Sequence, residues 1–388
     1  MKRRRLIFLL LWILALVAVS FYGGAVSYGL FWGLTLVPVI SLIYLILFFS
    51  QFKIYQEIQS RNIVCKQAMP YYFTLPNETF YSFAGLNVRM FSGFSYVTDI
   101  PENEEYELLP GDSHTYHTNL VCKYRGEYEV GVKEIVVTDF FRLFRMRYRI
   151  HGTIKALVYP RMIQKKELSS IKDIIDVSNL QSEIKKTETD VITRDYIPGD
   201  SLKYIHWKVS AREQKLKTRN LLGERKQGIL LLYDTKRFSP KEEAYIPLES
   251  QILETVLALS YHFGEKGIPF TLLCGQNGVK KLEAEGISGL DYVYRETCQV
   301  RFDEREDGEA LLARVVQERL HLHARSLIMV AHRVSDGLMR QLQEFAVEGL
   351  PVVLYLVTDE DAEKYIRQSN SRLKIVVLPV DGDLEELL

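Results

Sequence analysis

Gly228-Ile229-Leu230-Leu231-Leu232-Tyr233-Asp234 is an unbroken apolar run between a glycine and a carboxylate. A strand with one wet face alternates apolar and polar residues, whereas one that is apolar at every position is covered on both faces, as in a parallel sheet. The same texture recurs downstream. Residues 269–274, 326–331, 351–357 and 374–380 are further apolar strand segments, and residues 248–264, 305–321, 336–348 and 359–368 read as helices between them. Strands alternating with helices imply right-handed crossovers and a mostly parallel sheet, an α/β domain over residues 228–388.

Just upstream lies the densest segment of the chain, Arg194-Asp195-Tyr196-Ile197-Pro198-Gly199-Asp200-Ser201-Leu202-Lys203-Tyr204-Ile205-His206-Trp207-Lys208-Val209-Ser210-Ala211-Arg212. Pro198-Gly199 predicts a turn, with Asp200 capping a helix that starts at Ser201. Leu202, Ile205 and Val209 then share one apolar stripe, and Lys208 and Arg212 stand four residues apart, near enough to Arg194, Asp195 and Asp200 for a charge network. Before it, residues 164–193 turn polar and charged, as in Lys185-Lys186-Thr187-Glu188-Thr189-Asp190. Residues 161–227 therefore read as a connector carrying this segment.

Residues 54–160 have a third texture. Short strand-like runs (residues 80–83, 87–91, 116–121 and 134–137) are separated by turn chemistry such as Pro110-Gly111-Asp112 and Arg125-Gly126-Glu127, which predicts an antiparallel β-sandwich-like domain. In Phe144-Arg145-Met146-Arg147-Tyr148-Arg149-Ile150 the period of two puts three arginines on one face and four apolar side chains on the other. A half-buried edge strand kept from aggregating by charge is the plainer reading, and contact with anionic lipid headgroups the sharper one.

The N-terminus begins with the cationic cluster Lys2-Arg3-Arg4-Arg5, followed by two uncharged apolar runs, about residues 6–22 and 30–49, that flank the glycine-rich Tyr22-Gly23-Gly24-Ala25-Val26-Ser27-Tyr28-Gly29. Each approaches the roughly 20 residues that a helix needs to cross a bilayer core. Residues 1–53 thus read as a transmembrane hairpin, with Tyr22, Tyr28 and Trp32 at the water interface of its turn. A signal peptide cut near Ser27 is the rival, weakened by the second span so close behind. Positive charge precedes the first span and is missing from the turn, which predicts a multi-pass protein of the cell membrane with its soluble domains in the cytoplasm. Four scattered cysteines and a formal net charge of zero point to no disulfide framework, zinc site or nucleic-acid partner. The expected architecture is α+β and multidomain.

Arg194-x-Tyr196-x-Pro198-Gly199-Asp200, then His206-Trp207-Lys208-x-Ser210-Ala211-Arg212, then a strand ending in Asp234, resembles the signature of the family known as domain of unknown function 58. Arg125-Gly126-Glu127-Tyr128-Glu129-Val130-Gly131 and Asp139-Phe140-Phe141-Arg142-Leu143-Phe144 are similar to that family's sandwich region, although Arg142 stands where it usually has glycine. The resemblance implies a von Willebrand factor A-like C-terminal domain. It also implies association with a MoxR-type AAA+ ATPase, sometimes with a transglutaminase-like membrane protein.

Catalysis would make His206 an acid or base with Asp200 and Lys208, but no nucleophile accompanies them. The plainer role is a hinge, with Trp207 buried at a domain junction. Metal-binding A domains carry Asp-x-Ser-x-Ser after the first strand. Here Asp234-Thr235-Lys236-Arg237-Phe238 keeps the carboxylate and loses both hydroxyls, and a lysine there repels a divalent cation. Asp234 is expected to pair with a basic neighbour instead. Gly111-Asp112-Ser113-His114 and His321-x-His323 lack the second element that chemistry would need. The reading is a membrane-tethered, non-enzymatic scaffold without cofactor or metal. Its candidate binding residues are Arg194, Tyr196, Gly199, Asp200, His206, Trp207, Lys208, Ser210, Arg212 and Asp234. The alternatives are a metal-dependent A-domain receptor and a hydrolase using His206.

Overall fold

The computed structural model describes residues 2–60, 62–101, 104–150, 152–165, 168, 171, 192–196, 205–220, 228–275, 279–302, 307–360 and 362–388. The chain divides into two compact units, Met1–Tyr159 and Pro160–Leu388.

The first unit opens with α1 (Lys2–Phe21) and α2 (Ala25–Gln51), both long and apolar enough to cross a membrane. The break between them is shorter than the glycine-rich stretch suggested. Gly23 and Gly24, both at positive φ, make the turn, and Ser27 Oγ donates to Gly23 O at 2.6 Å, so residues 25–29 are already helical. Trp12 Nε1 donates to Thr35 Oγ1 at 3.0 Å and ties the two helices together.

The remainder of this unit is β: β1 (Tyr55–Ile58), β2 (Asn62–Val64), β3 (Ala68–Pro76), β4 (Phe83–Met90), β5 (Ser95–Val97), β6 (Glu105–Leu108), β7 (Ser113–Cys122), β8 (Gly126–Val130), β9 (Val132–Thr138), β10 (Arg145–Arg149) and β11 (Ile154–Tyr159). They form sheets of order β1-β3-β7-β5, β10-β9-β4-β6 and β2-β11-β8. Tyr71, Phe73 and Leu75 of β3, Leu86 of β4 and Ile135 and Val137 of β9 are fully buried. Two strand expectations change. Residues 80–82 precede β4 in a turn built on buried Asn77, whose Oδ1 accepts the Thr79 N–H at 3.1 Å and whose Nδ2 donates to Tyr81 O at 2.9 Å. The arginine strand β10 lies at a sheet edge as expected, but it is exposed on both faces, Met146 and Tyr148 included.

β9 and β10 are joined by a turn that Asp139 organises. Its buried carboxylate accepts the N–H of Phe144 at 2.6 Å and of Phe141 at 3.2 Å. Arg142 within the turn has φ 56, in the left-handed region, which explains why glycine suits this position. Asp139→Ala leaves both N–H groups without their acceptor and is expected to destabilise the full-length protein in detergent by about 2 kcal/mol. A chemical-denaturation midpoint equal to that of the parent protein would rule this out.

The second unit carries a six-stranded sheet. Its elements in chain order are β12 (Ile192–Asp195), α3 (Trp207–Glu213), β13 (Lys217–Asn220), β14 (Ile229–Tyr233), α4 (Glu242–Glu265), β15 (Phe270–Gly275), β16 (Val279–Ala284), α5 (Leu290–Cys298), α6 (Gly308–Gln317), β17 (Ser326–Ala331), α7 (Asp336–Val347), β18 (Val352–Val357), α8 (Glu363–Ile366), β19 (Leu373–Leu378) and α9 (Leu384–Leu387). The sheet runs β16-β15-β14-β17-β18-β19, parallel except for β16, which pairs antiparallel with β15. β14 is central and buried at every position. Its odd residues, Ile229, Leu231 and Tyr233, pack with α4 and α5; its even residues, Leu230 and Leu232, pack with α6 and α7. That division is the period of two expressed across a sheet with helices on both sides. Ile163, Leu168 and Ile171 are buried in the first of these cores, so the start of the polar connector contributes to this unit.

Candidate functional site

The predicted site residues fall in two places. Most belong to a small motif in which β12 pairs antiparallel with β13, in the register Arg194↔Thr218 and Asp195↔Lys217. Tyr196 extends the ladder, its N–H donating to Leu216 O at 2.8 Å. Gly199 and Asp200, with the turn and helix start expected there, lie outside the described residues. The helix in this segment is α3, and it begins at Trp207. His206 is its N-cap, with Nδ1 accepting the Val209 N–H at 3.4 Å. Ile205, expected on the helix stripe, instead precedes the helix and is buried.

Two further bonds fasten α3 to β13. The His206 N–H donates to Lys217 O at 2.8 Å, and Ser210 Oγ accepts the Lys217 N–H at 2.8 Å. The Lys217 ammonium is held by Asp195 at 2.8 Å and Glu213 at 3.1 Å. His206 and Ser210 thus act as fasteners. Trp207, expected to be buried, is 66% exposed, and Lys208 and Arg212 are exposed with it. A helix cap places Trp207 in the first helical position, where none of the described residues of the motif covers its ring.

Asp234 stands apart, at the C-terminal end of β14, and no hydrogen bond or ion pair among the described residues joins it to α3. The carboxylate is buried. Its Oδ1 accepts the Lys236 N–H at 2.9 Å, and its Oδ2 lies 3.4 Å from His332 Nδ1, at the end of the adjacent strand β17, outside hydrogen-bond geometry. Gly308, the first residue of α6, lies against it: a Cβ there would be 3.9 Å from that of Asp234. Burial pushes the Asp234 carboxyl up to about 6, against the Lys236 and Gly308 N–H groups and the Lys236 charge, which favour ionisation. Burial, with the Arg333 and Lys236 charges, pulls His332 down to about 4.

The basic neighbour expected for Asp234 is therefore an uncharged imidazole at neutral pH. The lysine serves a different carboxylate, with Lys236 Nζ 3.3 Å from Asp307 Oδ2. Burial works against ionisation of Asp307, but the Ala310 N–H and the Lys236 ammonium outweigh it and hold that carboxyl below its usual value. Thr235 Oγ1 is turned away, donating to Gly275 O at 2.8 Å. His332 and Asp307 escaped the sequence reading as partners of this site. The signal was available for His332, since the C-terminal ends of neighbouring parallel strands converge and it directly follows β17.

The family model described as "Protein of unknown function DUF58" matches residues 192–244, which take in β12, α3, β13, β14 and Asp234, and this supports the family resemblance. No curated protein matches the chain. Among solved structures, trypsin-activated alpha-2-macroglobulin from Escherichia coli is similar at 16% identity and a TM-score of 0.21, over 39% of this chain and 9% of that one. A GH20 exo β-N-acetylglucosaminidase from Vibrio harveyi is similar at 9% identity and a TM-score of 0.22, over 85% of this chain and 82% of that one. Similarities this slight carry no inference about activity.

Proposed function

We propose that this protein is a membrane-tethered, non-enzymatic scaffold whose α3 motif binds a partner protein at the cytoplasmic face of the cell membrane. The observation that carries the reading is Trp207: a large exposed aromatic flanked by exposed Lys208 and Arg212, on a short helix held rigid by His206, Ser210 and Lys217. Rigid aromatic and arginine side chains are the usual anchors of protein interfaces, and the two cations suit an acidic rim around the pocket that takes the indole. A structural role for α3 alone would bury the ring.

The strand order of the six-stranded sheet, with its antiparallel edge β16, fits a von Willebrand factor A-like domain, and the β region of the first unit fits a sandwich. Family resemblance nominates a MoxR-type AAA+ ATPase as the partner, with a transglutaminase-like membrane protein as a further member of the assembly. The apolar hairpin concentrates such partners at a bilayer. A metal-dependent A-domain receptor is disfavoured by donor chemistry, because Lys236 holds an ammonium beside Asp234 and Thr235 Oγ1 faces away. A hydrolase is disfavoured because His206 Nδ1 already serves as a helix cap.

The test is direct binding of the purified MoxR-type ATPase of the same organism to the full-length protein in detergent, followed by interferometry. Trp207→Ala is expected to weaken binding about thirty-fold, or about 2 kcal/mol, in the range of interface anchors. Absence of binding at tens of micromolar, or an unchanged affinity for the variant, would count against the proposal.

A further inference from the structure

The first unit holds its apolar helices and its sheets together through one continuous contact. Ser41, Leu45 and Phe48 are buried at helical spacing on α2, with the Phe48 ring 4.5 Å from Phe83 of β4. Tyr44 Oη accepts the Ala84 N–H at 3.1 Å and donates to Ser82 O at 3.3 Å. On the other helix, Arg5 Nε donates to Leu143 O at 2.6 Å. Arg5 and Ser41 are equidistant in sequence from the turn at Gly23. Each limb up to that level spans about 27 Å of helix, just under the roughly 30 Å of a hydrocarbon core. The sheets therefore begin where the helices would leave the bilayer.

What the β region presents at that level is unusual for a surface facing water. Phe140 is 63% exposed and lies 5.0 Å from the Tyr44 ring, and its neighbour Phe141 is 54% exposed. Next in the chain come Arg142 and then β10, with Arg145, Arg147 and Arg149. Leu143 meets Arg5, whereas the Tyr148 ring of β10 lies 5.6 Å from the ring of Phe49, farther along α2, so the strand rises away from the level of Arg5. Arg145 and Arg147 thus stand nearer the level of Arg5 than Arg149 does. Among the described residues none of these three has an acidic partner; Arg142 is paired with Glu105 at 3.0 Å, and Asp139 is buried in the turn. The cations of α1, Lys2 to Arg5, lie on the same side of the hairpin.

We propose that the turn at residues 139–144 and the edge strand β10 form a second membrane contact, in which Phe140 and Phe141 enter the interface and Arg145 and Arg147 bind the anionic headgroups of the leaflet from which α1 and α2 emerge. The inference rests on reading α1 and α2 as membrane spans. Phenylalanine rings and arginines are residue types that an interface rewards, the ring at the headgroup–acyl boundary and the guanidinium on phosphate. A partner protein is the lesser fit, since the patch is continuous with the bilayer-facing helices and rises from their level. Its consequence is orientational: the β region is pinned to the membrane by its edge as well as by the hairpin.

The experiment uses the full-length protein in liposomes of phosphatidylcholine alone or with one third phosphatidylglycerol. A nitroxide is placed at Phe141→Cys with Cys298→Ser, the other three cysteines being buried. Depth is read from relaxation by oxygen against a water-soluble nickel chelate, and insertion of the hairpin from resistance to alkaline carbonate. The label is expected at the headgroup–acyl boundary in the anionic liposomes. Arg145→Glu with Arg147→Glu is expected to lower the immersed population at least tenfold, since one cation near an anionic leaflet contributes a factor of about five. A label in water on a carbonate-resistant protein overturns the second contact alone, and carbonate extraction overturns the spans with it. Equal immersion with and without phosphatidylglycerol, or in the double variant, overturns recognition of the anionic headgroup.

Discussion

Gly228→Ala is expected to destabilise the second unit by about 4 kcal/mol, adding a strained backbone conformation to an overpacked contact. Gly228 precedes the central strand β14 with φ 134, and a Cβ there would lie 2.3 Å from Pro269 O and 2.9 Å from Pro269 C. Both are backbone atoms, so no side-chain rotation relieves the clash. Relief would have to move β14 away from β15, beginning at the Ile229 N–H that donates to Pro269 O at 3.0 Å. Gly267 supplies the control: its φ is 62, yet no atom lies within 4 Å of a Cβ built there. Gly267→Ala should cost about 1 kcal/mol from the left-handed backbone alone. In urea unfolding of the full chain the two variants should differ by about 3 kcal/mol. Similar losses would mean that the approach of Pro269 O does not constrain the sheet.

The contrast between these glycines bears on what the sequence made legible. The run 229–233 announced a strand covered on both sides, because it is too short for a helix, is bounded by Gly228 and Asp234 and is apolar at every position, and β14 is central to its sheet. The antiparallel edge β16 escaped. Its sequence, Val-Lys-Lys-Leu-Glu-Ala, carries the charges that protect an edge and that make it resemble a loop. α4 begins at Glu242, six residues before the predicted start, and accommodates Pro247 within the helix. In the α3 segment Asp200 drew attention as a cap because carboxylates usually serve, yet the cap of α3 is the His206 ring. Alternation in β10 implied a buried face, but alternation fixes only which residues share a face and not whether anything covers it. The surroundings of Asp234 come from His332, just after β17, which strand adjacency could have supplied, and from α6, whose approach has no local signature.

Those same surroundings lead to opposite pH responses for Asp234→Asn and His332→Gln. In the folded protein the Asp234 carboxyl is raised from 3.8 to about 6 and the His332 imidazole lowered from 6.5 to about 4, both chiefly through burial. Between about pH 4 and 6 the native state therefore holds its proton on the carboxyl, whereas the unfolded chain holds one on the imidazole. The raised carboxyl makes stability fall as pH rises through that window; the lowered imidazole makes it rise. In the parent protein the two slopes largely cancel. Removing the carboxylate unmasks the imidazole: relative to the parent, Asp234→Asn should be more stable at pH 7 and lose about 3 kcal/mol of that advantage by pH 4, at about 1.4 kcal/mol per unit. His332→Gln should change the other way, gaining about 3 kcal/mol on the parent over the same descent. Denaturation of the full-length protein at pH 4, 5, 6 and 7 measures both. Parallel curves for parent and variants would show that neither group is perturbed by folding. Opposed curves would mean that near pH 5 Asp234 and His332 lie neutral and buried beside the Lys236–Asp307 ion pair, an environment poorly suited to a divalent cation.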